Sequence, residues 1–515
     1  MYQRLDDYLD YHARVHEDVV FVTDESISLT FAQAQQRIDR IASRLAAGGL
    51  QKGDRIALLG KNSIDFFFMY LACARLGLVP VGINYRLTAT ECAFIIADST
   101  AGFLFADSEF IAAVDDECSG IESVCLYGQH GDYAAFDEWL GTAEPDYDRA
   151  DIEPDDVMSQ MYTSGTTGLP KGVLLSHDNV IANVYQTAMA SEYTFMVGEE
   201  FLLVAPMYHA AGIMTGYTGV VQGLTLVIHR DYDPQRVVTT LAHRAIAAVT
   251  LVPAMLQFII DNIPGLDAMS FPSLRVVYYG ASPISVPLLQ RAIEIFCCDF
   301  TQGYGQTEAN SIVAMLSASD HRKALANDPD LLKACGRATF NTELRIIDSD
   351  NNTLPPGRSG EIVARGPQVM LGYWNNPKAT AETIVDGWLH TGDMGQLDEH
   401  GYLTIVGRLK DMIISGGENI YPVEIENVLM NHAQVKEAAV IGVAHPKWGE
   451  VPLAVLVVEA GEPPTDQQLT ASCREQLAKF KVPAHFHMIP ELPRNPSGKI
   501  LKQQLRDELG AVYGE

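Results

Sequence analysis

Between Tyr162 and Val173 the chain reads YTSGTTGLPKGV, a stretch that admits few backbone solutions. Gly165, Gly168 and Gly172 alternate with the hydroxyls of Thr163, Ser164, Thr166 and Thr167, and Lys171 follows. Glycine permits positive φ and close backbone approach, so successive N–H groups can turn inward into an anion-binding concavity. The hydroxyls add donors that can follow a phosphate, and Lys171 adds a mobile positive charge. The chemistry implied is a polyphosphate cradle. A nucleoside-triphosphate loop of the Walker type would end Gly-Lys-Ser/Thr and run from a strand straight into a helix. Here Gly172 follows the lysine, and Gly172–Leu175 reads as a second strand after MSQMY. The helix starts only after Ser176, an N-cap for DNVIANVYQTAMA. A plain surface hairpin would have a loop of two to five residues and little reason for four hydroxyls and a lysine.

The flanking pattern sets the fold class. TFAQAQQRIDRIASRLAAGGL places Ile38, Ile41, Ala42 and Leu45 on one helical face and stops at Gly48-Gly49. A buried strand at Asp54–Leu59, a helix over Phe66–Leu76 and a strand at Val79–Ile83 follow. Strand, helix, strand at this pace is the rhythm of a parallel sheet with helices on its faces. It returns at EFLLVAPMYHAAG, GLTLVIH, IAAVTLVPAMLQFIID and LRVVYYGASPISVPLLQRAIEIF. After about Lys333 short strands between turns take over, at Glu343–Asp348, Gly360–Ala364 and Gly401–Val406. Beyond Arg408 lies a compact α+β unit whose first helix begins at Pro422 and turns Ile425, Val428 and Leu429 to one side. The expectation is an α/β chain with a large N-terminal domain (1–409) of βα-layered sheets and a β-rich part. A small α+β C-terminal domain (410–515) completes it. A chain of 515 residues holds several such units.

Charge and cysteine usage narrow the partners. With 36 Lys+Arg against 65 Asp+Glu the net charge is −29, which argues against nucleic acid or an anionic membrane as a general partner. A local basic pocket for a phosphorylated ligand stays compatible with it. The 8 cysteines include no CxxC pair and no metal-ligand spacing, which fits free thiols in a reducing compartment. The amino terminus has no apolar segment of a secretory signal. The run from Phe66 is interrupted by Arg75, Gly77 and Pro80, against the ~20 apolar residues a spanning helix needs. A cytoplasmic protein without stable membrane insertion is expected, with a homodimer left open.

Six segments occur in order: YTSGTTGLPKGV, PMYHAAG from Pro206, YGQTE from Tyr304, LHTGD from Leu389, GRLKDMIISGGENIYPVEIE from Gly407 and PRNPSGKI from Pro493. In this the chain resembles the adenylate-forming superfamily over essentially its whole length, and most of all its acyl- and aryl-CoA ligase branch. The resemblance implies two half-reactions with ATP, Mg²⁺ and coenzyme A. A carboxylate attacks the α-phosphate and releases pyrophosphate; the thiol then attacks the acyl-adenylate and releases AMP. It also implies that the C-terminal domain is mobile about a hinge.

The resemblance gives residues their roles. It implies catalytic work for Lys499, in the polar loop RNPSGK, and for Glu308, Thr166 and His209. Glu308 is a hard oxygen ligand suited to Mg²⁺ on phosphates. Thr163, Ser164, Gly165, Thr167, Gly168 and Lys171 would hold phosphate. Gly280, Ala281, Ser282, Gly303, Tyr304, Gly305 and Thr307 would surround the nucleotide, with the Tyr304 ring against adenine and the glycines admitting backbone close to it. Asp393 and Arg408 would reach the ribose, an acidic residue on ribose hydroxyls being known from dinucleotide sites. Lys410 matches the hinge; Ser415, Gly416 and Gly417 would line the pantetheine tunnel, and Trp448 and Phe480 would meet the CoA nucleotide. Val482 and Ala484 depart from the basic residues some aryl-CoA ligases carry there.

The acid is the open part. Ala210, Ala211, Gly212 and Ala281 leave room beside Tyr208 and Tyr279, with no cation to anchor a second carboxylate. An apolar monocarboxylate is expected, a fatty acid first and an aryl or alicyclic acid second. A peptide-synthetase adenylation domain would need an acidic residue near PMYHAAG and a carrier domain, which is not expected so soon before the chain ends. A luciferase-like oxygenase shares every motif. A non-catalytic acyl or nucleotide sensor would have lost Glu308 or Lys499, and both are present.

Overall fold

The computed structural model describes residues 4–115, 121–142, 144–163, 169–416, 418–458, 461, 463–494 and 500–514. Among the predicted site residues, Ser164, Gly165, Thr166, Thr167, Gly168, Gly417 and Lys499 lie outside these. The chain divides into two compact units. The first holds Met1–Pro283, Leu288–Glu343 and Ala364–Leu389, and the second Ile284–Pro287, Leu344–Val363 and His390–Glu515.

The first unit is built on two sheets. One has the spatial order Gly372–Tyr373, Lys171–Ser176, Val157–Thr163, Val79–Ile83, Arg55–Leu59, Phe103–Ala106, Glu122–Cys125. Arg55–Leu59 pairs parallel with both Val79–Ile83 and Phe103–Ala106, as the strand–helix–strand rhythm requires. The second runs Arg337–Ala338, Ala314–Leu316, Asp299–Tyr304, Val276–Gly280, Ile246–Thr250, Glu200–Leu203, Thr225–Ile228, Val20–Thr23, Ser28–Thr30. Its five central strands are parallel, each reached through a helix.

The helix Ile64–Leu76 shows what the apolar run from Phe66 is for. Ser63 caps it through the Phe66 N–H, and Gly77 ends it at φ 65°. Every residue from Phe66 to Leu76 is buried, so this is a core helix apolar on all sides. Each buried phenylalanine there contributes about 1.5–3 kcal/mol. Arg75, which breaks the run in the sequence, is 1% exposed. Its guanidinium lies 2.9 Å from both Asp10 and Asp39, so the charge is buried as a network. Among the described residues no helix is long and apolar enough to cross a membrane.

In the second unit Leu344–Val363 and His390–Arg408 contribute most of a five-stranded sheet, and the remainder folds around another. There Val435–His445 and Gly449–Val458 form a long antiparallel pair, with His485–Met488 parallel to the latter. Pro422 stands in the first turn of the helix Pro422–Met430, which buries Ile425, Val428 and Leu429 as the pattern predicts. All seven cysteines among the described residues are free thiols.

Candidate active site

The glycine-rich segment joins two antiparallel strands, Val157–Thr163 and Lys171–Ser176, with Thr163 opposite Lys171. The second strand runs into the helix His177–Ser191 through a capping box. Ser176 accepts from the Asn179 N–H, and Asn179 accepts from the Ser176 N–H. The predicted cap is therefore correct, and it fixes the exit of the hairpin.

The turn that carries Glu308 is tied to this hairpin. Tyr304 ends the strand Asp299–Tyr304 and is 8% exposed; Thr307 and Glu308 occupy a short 3₁₀ turn, Thr307–Ala309. Glu308 Oε1 accepts from the Tyr373 hydroxyl at 2.9 Å and from Thr163 Oγ1 at 3.4 Å. The Lys171 ammonium lies 5.0 Å from the Tyr373 ring centroid. Burial and the Glu308 carboxylate push the Tyr373 phenol up, which keeps it a neutral donor. Lysine, carboxylate and two hydroxyls thus gather at the end of the hairpin, the donor set a metal–triphosphate needs. Among the described residues no three acidic, His or Cys groups cluster as a metal cage. A single carboxylate beside a lysine and two hydroxyls suits Mg²⁺, which takes one or two carboxylates plus substrate phosphates.

The backs of these turns explain residues the sequence reading passed over. Asn310 closes the 3₁₀ turn at φ 49°, is fully buried, and donates from Nδ2 to the Asn179 carbonyl at 3.0 Å. Asn183 donates to the Ile312 carbonyl at 2.8 Å. The helix that leaves the glycine-rich hairpin thus also holds the Glu308 turn from behind. The signal was an asparagine where the chain needs a left-handed residue. Tyr373 had no such signal.

Several glycines serve the protein's own packing rather than a ligand's approach. A Cβ on Gly305 would stand 2.2 Å from the Ser311 carbonyl oxygen, and one on Gly280 2.2 Å from that of Gly303. At Gly303 it would meet the Ile312 side chain at 3.0 Å. Ala281, at φ 65°, holds a left-handed conformation unusual for alanine, next to exposed Ser282. His209 stands at the N-cap of the helix Ala210–Gln222 through its backbone, with its ring 4.6 Å from that of Tyr208. The acyl-pocket expectation needs correction here. The place of a Gly212 side chain is taken by the Pro206 carbonyl at 2.1 Å, so Gly212 lets the chain turn tightly and leaves no room. Tyr279 is buried and bonds His321 Nε2 at 2.9 Å.

In the second unit Asp393 and Arg408 are cross-strand partners, joined Oδ1 to Nε at 2.7 Å. Lys410 is exposed in the 3₁₀ turn Leu409–Asp411. Ser415 is buried at the end of a short strand, and the Gly416 N–H donates to the Trp448 carbonyl at 2.8 Å. A Cβ on Gly416 would stand 2.9 Å from the Trp448 ring, so glycine is required there at φ 61°. Trp448 and Phe480 are 46% and 42% exposed, with Lys447 and Lys481 ammonium groups over their rings. Exposed aromatics paired with cations suit an adenine ring.

Comparison with known proteins agrees with this geometry. Residues 9–374 match the AMP-binding enzyme family, and residues 424–499 match the AMP-binding enzyme C-terminal domain. The chain is 38% identical over 503 residues to the fatty acid–[acyl-carrier-protein] ligase ScoC of Streptomyces coeruleorubidus, covering 96% of this chain and 95% of that one. It is 36% identical over 510 residues to a feruloyl-CoA synthase of Amycolatopsis, covering 97% of each. Among solved structures it is similar to the o-succinylbenzoate CoA synthetase MenE of Bacillus subtilis in complex with its acyl-adenylate. There the TM-score is 0.85 at 32% identity, over 97% of this chain and 98% of that one. The same synthetase has been solved with ATP and a magnesium ion.

Proposed function

The chain belongs to the AMP-binding, adenylate-forming enzymes, and from that premise we propose that it activates an apolar monocarboxylic acid, a medium- or long-chain fatty acid, as its CoA thioester. The class is an acid–thiol ligase that forms AMP, with ATP, Mg²⁺ and coenzyme A as its small-molecule ligands. The observation that carries the reading is the gathering of Thr163, Lys171, Tyr373 and Glu308 at the end of the glycine-rich hairpin. Lys171 offers charge to the departing pyrophosphate. Glu308 would hold Mg²⁺, whose chemistry is to neutralise the phosphates and hold them in line. Asp393, presented by Arg408, would take the ribose hydroxyls, and Tyr304 with Gly280–Ser282 would bound the base.

In the first half-reaction the substrate carboxylate oxygen bonds to the α-phosphorus and the bond to pyrophosphate breaks. Lys499 would meet the charge that builds between them. In the second, the CoA sulfur bonds to the acyl carbon, the thiol proton goes to solvent, and AMP leaves with the bonding pair. Thr166 would act with the phosphate loop, and His209 beside Tyr208 would gate the thiol's approach to the acyl carbon. We take 1–409 and 410–515 as the working domains, with Lys410 as the hinge and Ser415–Gly417 as the thiol passage. A cytoplasmic setting is part of the same reading, supported by the free thiols.

For the acid, support comes from the fatty-acid ligases among the relatives. The relatives act on a fatty acid, on ferulate and on o-succinylbenzoate, so an aryl acid is the second reading. The test is AMP release over a panel of alkyl and aryl acids, with coenzyme A and a phosphopantetheinylated carrier protein as alternative thiols. Fastest turnover with an alkyl acid and coenzyme A is expected. Formation of ADP and phosphate would overturn the adenylate mechanism, and preference for an aryl acid or for the carrier protein would replace that part of the reading.

A further inference from the structure

Tyr373 belongs to none of the sequence motifs, yet it touches two of the groups they supply. The segment before and after it lies along the outer strand of the phosphate hairpin. The Leu371 N–H donates to the Leu174 carbonyl at 3.0 Å, the Trp374 N–H to the Gly172 carbonyl at 2.7 Å, and the Met370 N–H to the Glu308 carbonyl at 2.9 Å. In register, Tyr373 pairs with Val173 and Gly372 with Leu174. The Tyr373 N–H donates to Thr380 Oγ1 at 2.9 Å. A Cβ on Gly372 would stand 2.8 Å from the Thr380 side chain, so this close seat depends on the glycine. The backbone of Tyr373 is therefore held on both sides.

Its side chain lies between Lys171 and Glu308. The phenol donates to Glu308 Oε1 at 2.9 Å, and the ring face meets the Lys171 ammonium at 5.0 Å. Thr163 donates to the same carboxylate oxygen. Among the described residues both hydroxyls bond Oε1, which leaves Oε2 to meet a hard cation. An ionised carboxylate only accepts, so a phenylalanine in this position could not orient it. Partners that orient a metal ligand typically matter 10–100-fold in metal affinity.

We propose that Tyr373 is a positioning residue for adenylation: its hydroxyl fixes the Glu308 carboxylate so that Oε2 faces the metal of MgATP, and its ring sets where Lys171 waits for phosphate. One side chain thereby couples the metal ligand to the phosphate lysine. The role rests on the acyl-adenylate reading for its chemistry, while its binding test uses neither acid nor thiol.

The experiment measures Mn²⁺ bound with ATP to the full-length chain by electron paramagnetic resonance, and ATP bound in excess chelator by calorimetry. Tyr373→Phe keeps the ring and removes the hydroxyl; it should weaken Mn²⁺–ATP binding about 10–100-fold and leave metal-free ATP binding and the melting temperature unchanged. Tyr373→Leu should weaken metal-free ATP binding as well, because Lys171 loses its seat. In a Glu308→Gln background the Phe substitution should have no further effect. Wild-type Mn²⁺–ATP affinity in Tyr373→Phe would overturn the proposal, and so would a loss that simply adds to that of Glu308→Gln. If the acid panel yields no AMP while these binding results hold, the acyl-adenylate reading fails and the coupling stands.

Discussion

Asp393 and Arg408 face each other on adjacent antiparallel strands, and a 2.7 Å ion pair joins them. The pair is unequal: the carboxylate side chain is 7% exposed and the guanidinium 43%. The arginine thus sits outside and aims the buried acid, which can still accept from a ribose. Asp393→Ala should weaken ATP binding roughly 10–100-fold, the worth of charged hydrogen bonds of about 1.5–3 kcal/mol. Arg408→Ala should weaken it less and lower the melting temperature more, since it takes the counter-charge from a buried acid. Calorimetry and thermal melts of the two variants check both, and unchanged ATP affinity in Asp393→Ala would reduce that residue to a turn position.

The left-handed seat of Asn310 makes a graded series informative. Asn310→Gly keeps the backbone and removes the hydrogen bond to Asn179, which should cost about 1 kcal/mol. Asn310→Ala removes the bond and strains the turn, adding roughly 1–2 kcal/mol. Urea melts should order the proteins wild type, Gly, Ala. An alanine variant as stable as the glycine one would show that the turn relaxes, and Glu308 with it.

Lys499 and Lys410 should separate the two half-reactions. Lys499→Ala should slow adenylation about 10²–10³-fold, yet transfer acyl from ready-made acyl-adenylate to coenzyme A at near wild-type rate. Lys410→Pro, which fixes φ at the proposed hinge, should show the complement. Rapid-quench measurement of each step decides it, and equal slowing of both by Lys499→Ala would sink the two-conformation scheme.

His177 predicts an acid limb of stability. Burial holds its ring down to about 4, and neither ring nitrogen has a hydrogen-bond partner among the described residues. Between pH ~6.5 and 4 the unfolded chain binds a proton that the folded one refuses, so stability falls as pH falls. His177→Gln should flatten stability against pH in that window by one proton, about 1.4 kcal/mol per pH unit. Above pH ~7 the two proteins should show no difference in slope. Chemical melts at several pH values measure this directly, and parallel curves would mean that His177 titrates normally.

What could be read before folding was what is local. The strand–glycine loop–strand order, the cap at Ser176, the buried face Ile38–Leu45 and the start at Pro422 each depend on neighbours within a turn or two, and each stands as expected. Tyr373 was invisible because its partners Lys171 and Glu308 lie far away in sequence, and the edge pairing that brings it to them leaves no periodic trace. Gly212 misled for a related reason. A small residue looks like empty space until a carbonyl is found in it. The membership of Leu344–Val363 in the second unit is likewise a matter of long-range pairing.

An enzyme that makes a mixed anhydride carries its own competing nucleophiles, and the placement of the seven described thiols answers that hazard. Cys73, Cys92, Cys125, Cys335 and Cys473 are buried, and burial with the Asp299 charge pushes the Cys298 thiol up to about 12. Among the described cysteines Cys297 alone is exposed, just past the end of the helix Val286–Phe296. Among the seven described cysteines a maleimide dye should therefore settle on Cys297 first, as peptide analysis would show. The chain carries a natural attachment point for a fluorescent reporter, and the motif residues need not be touched to install it.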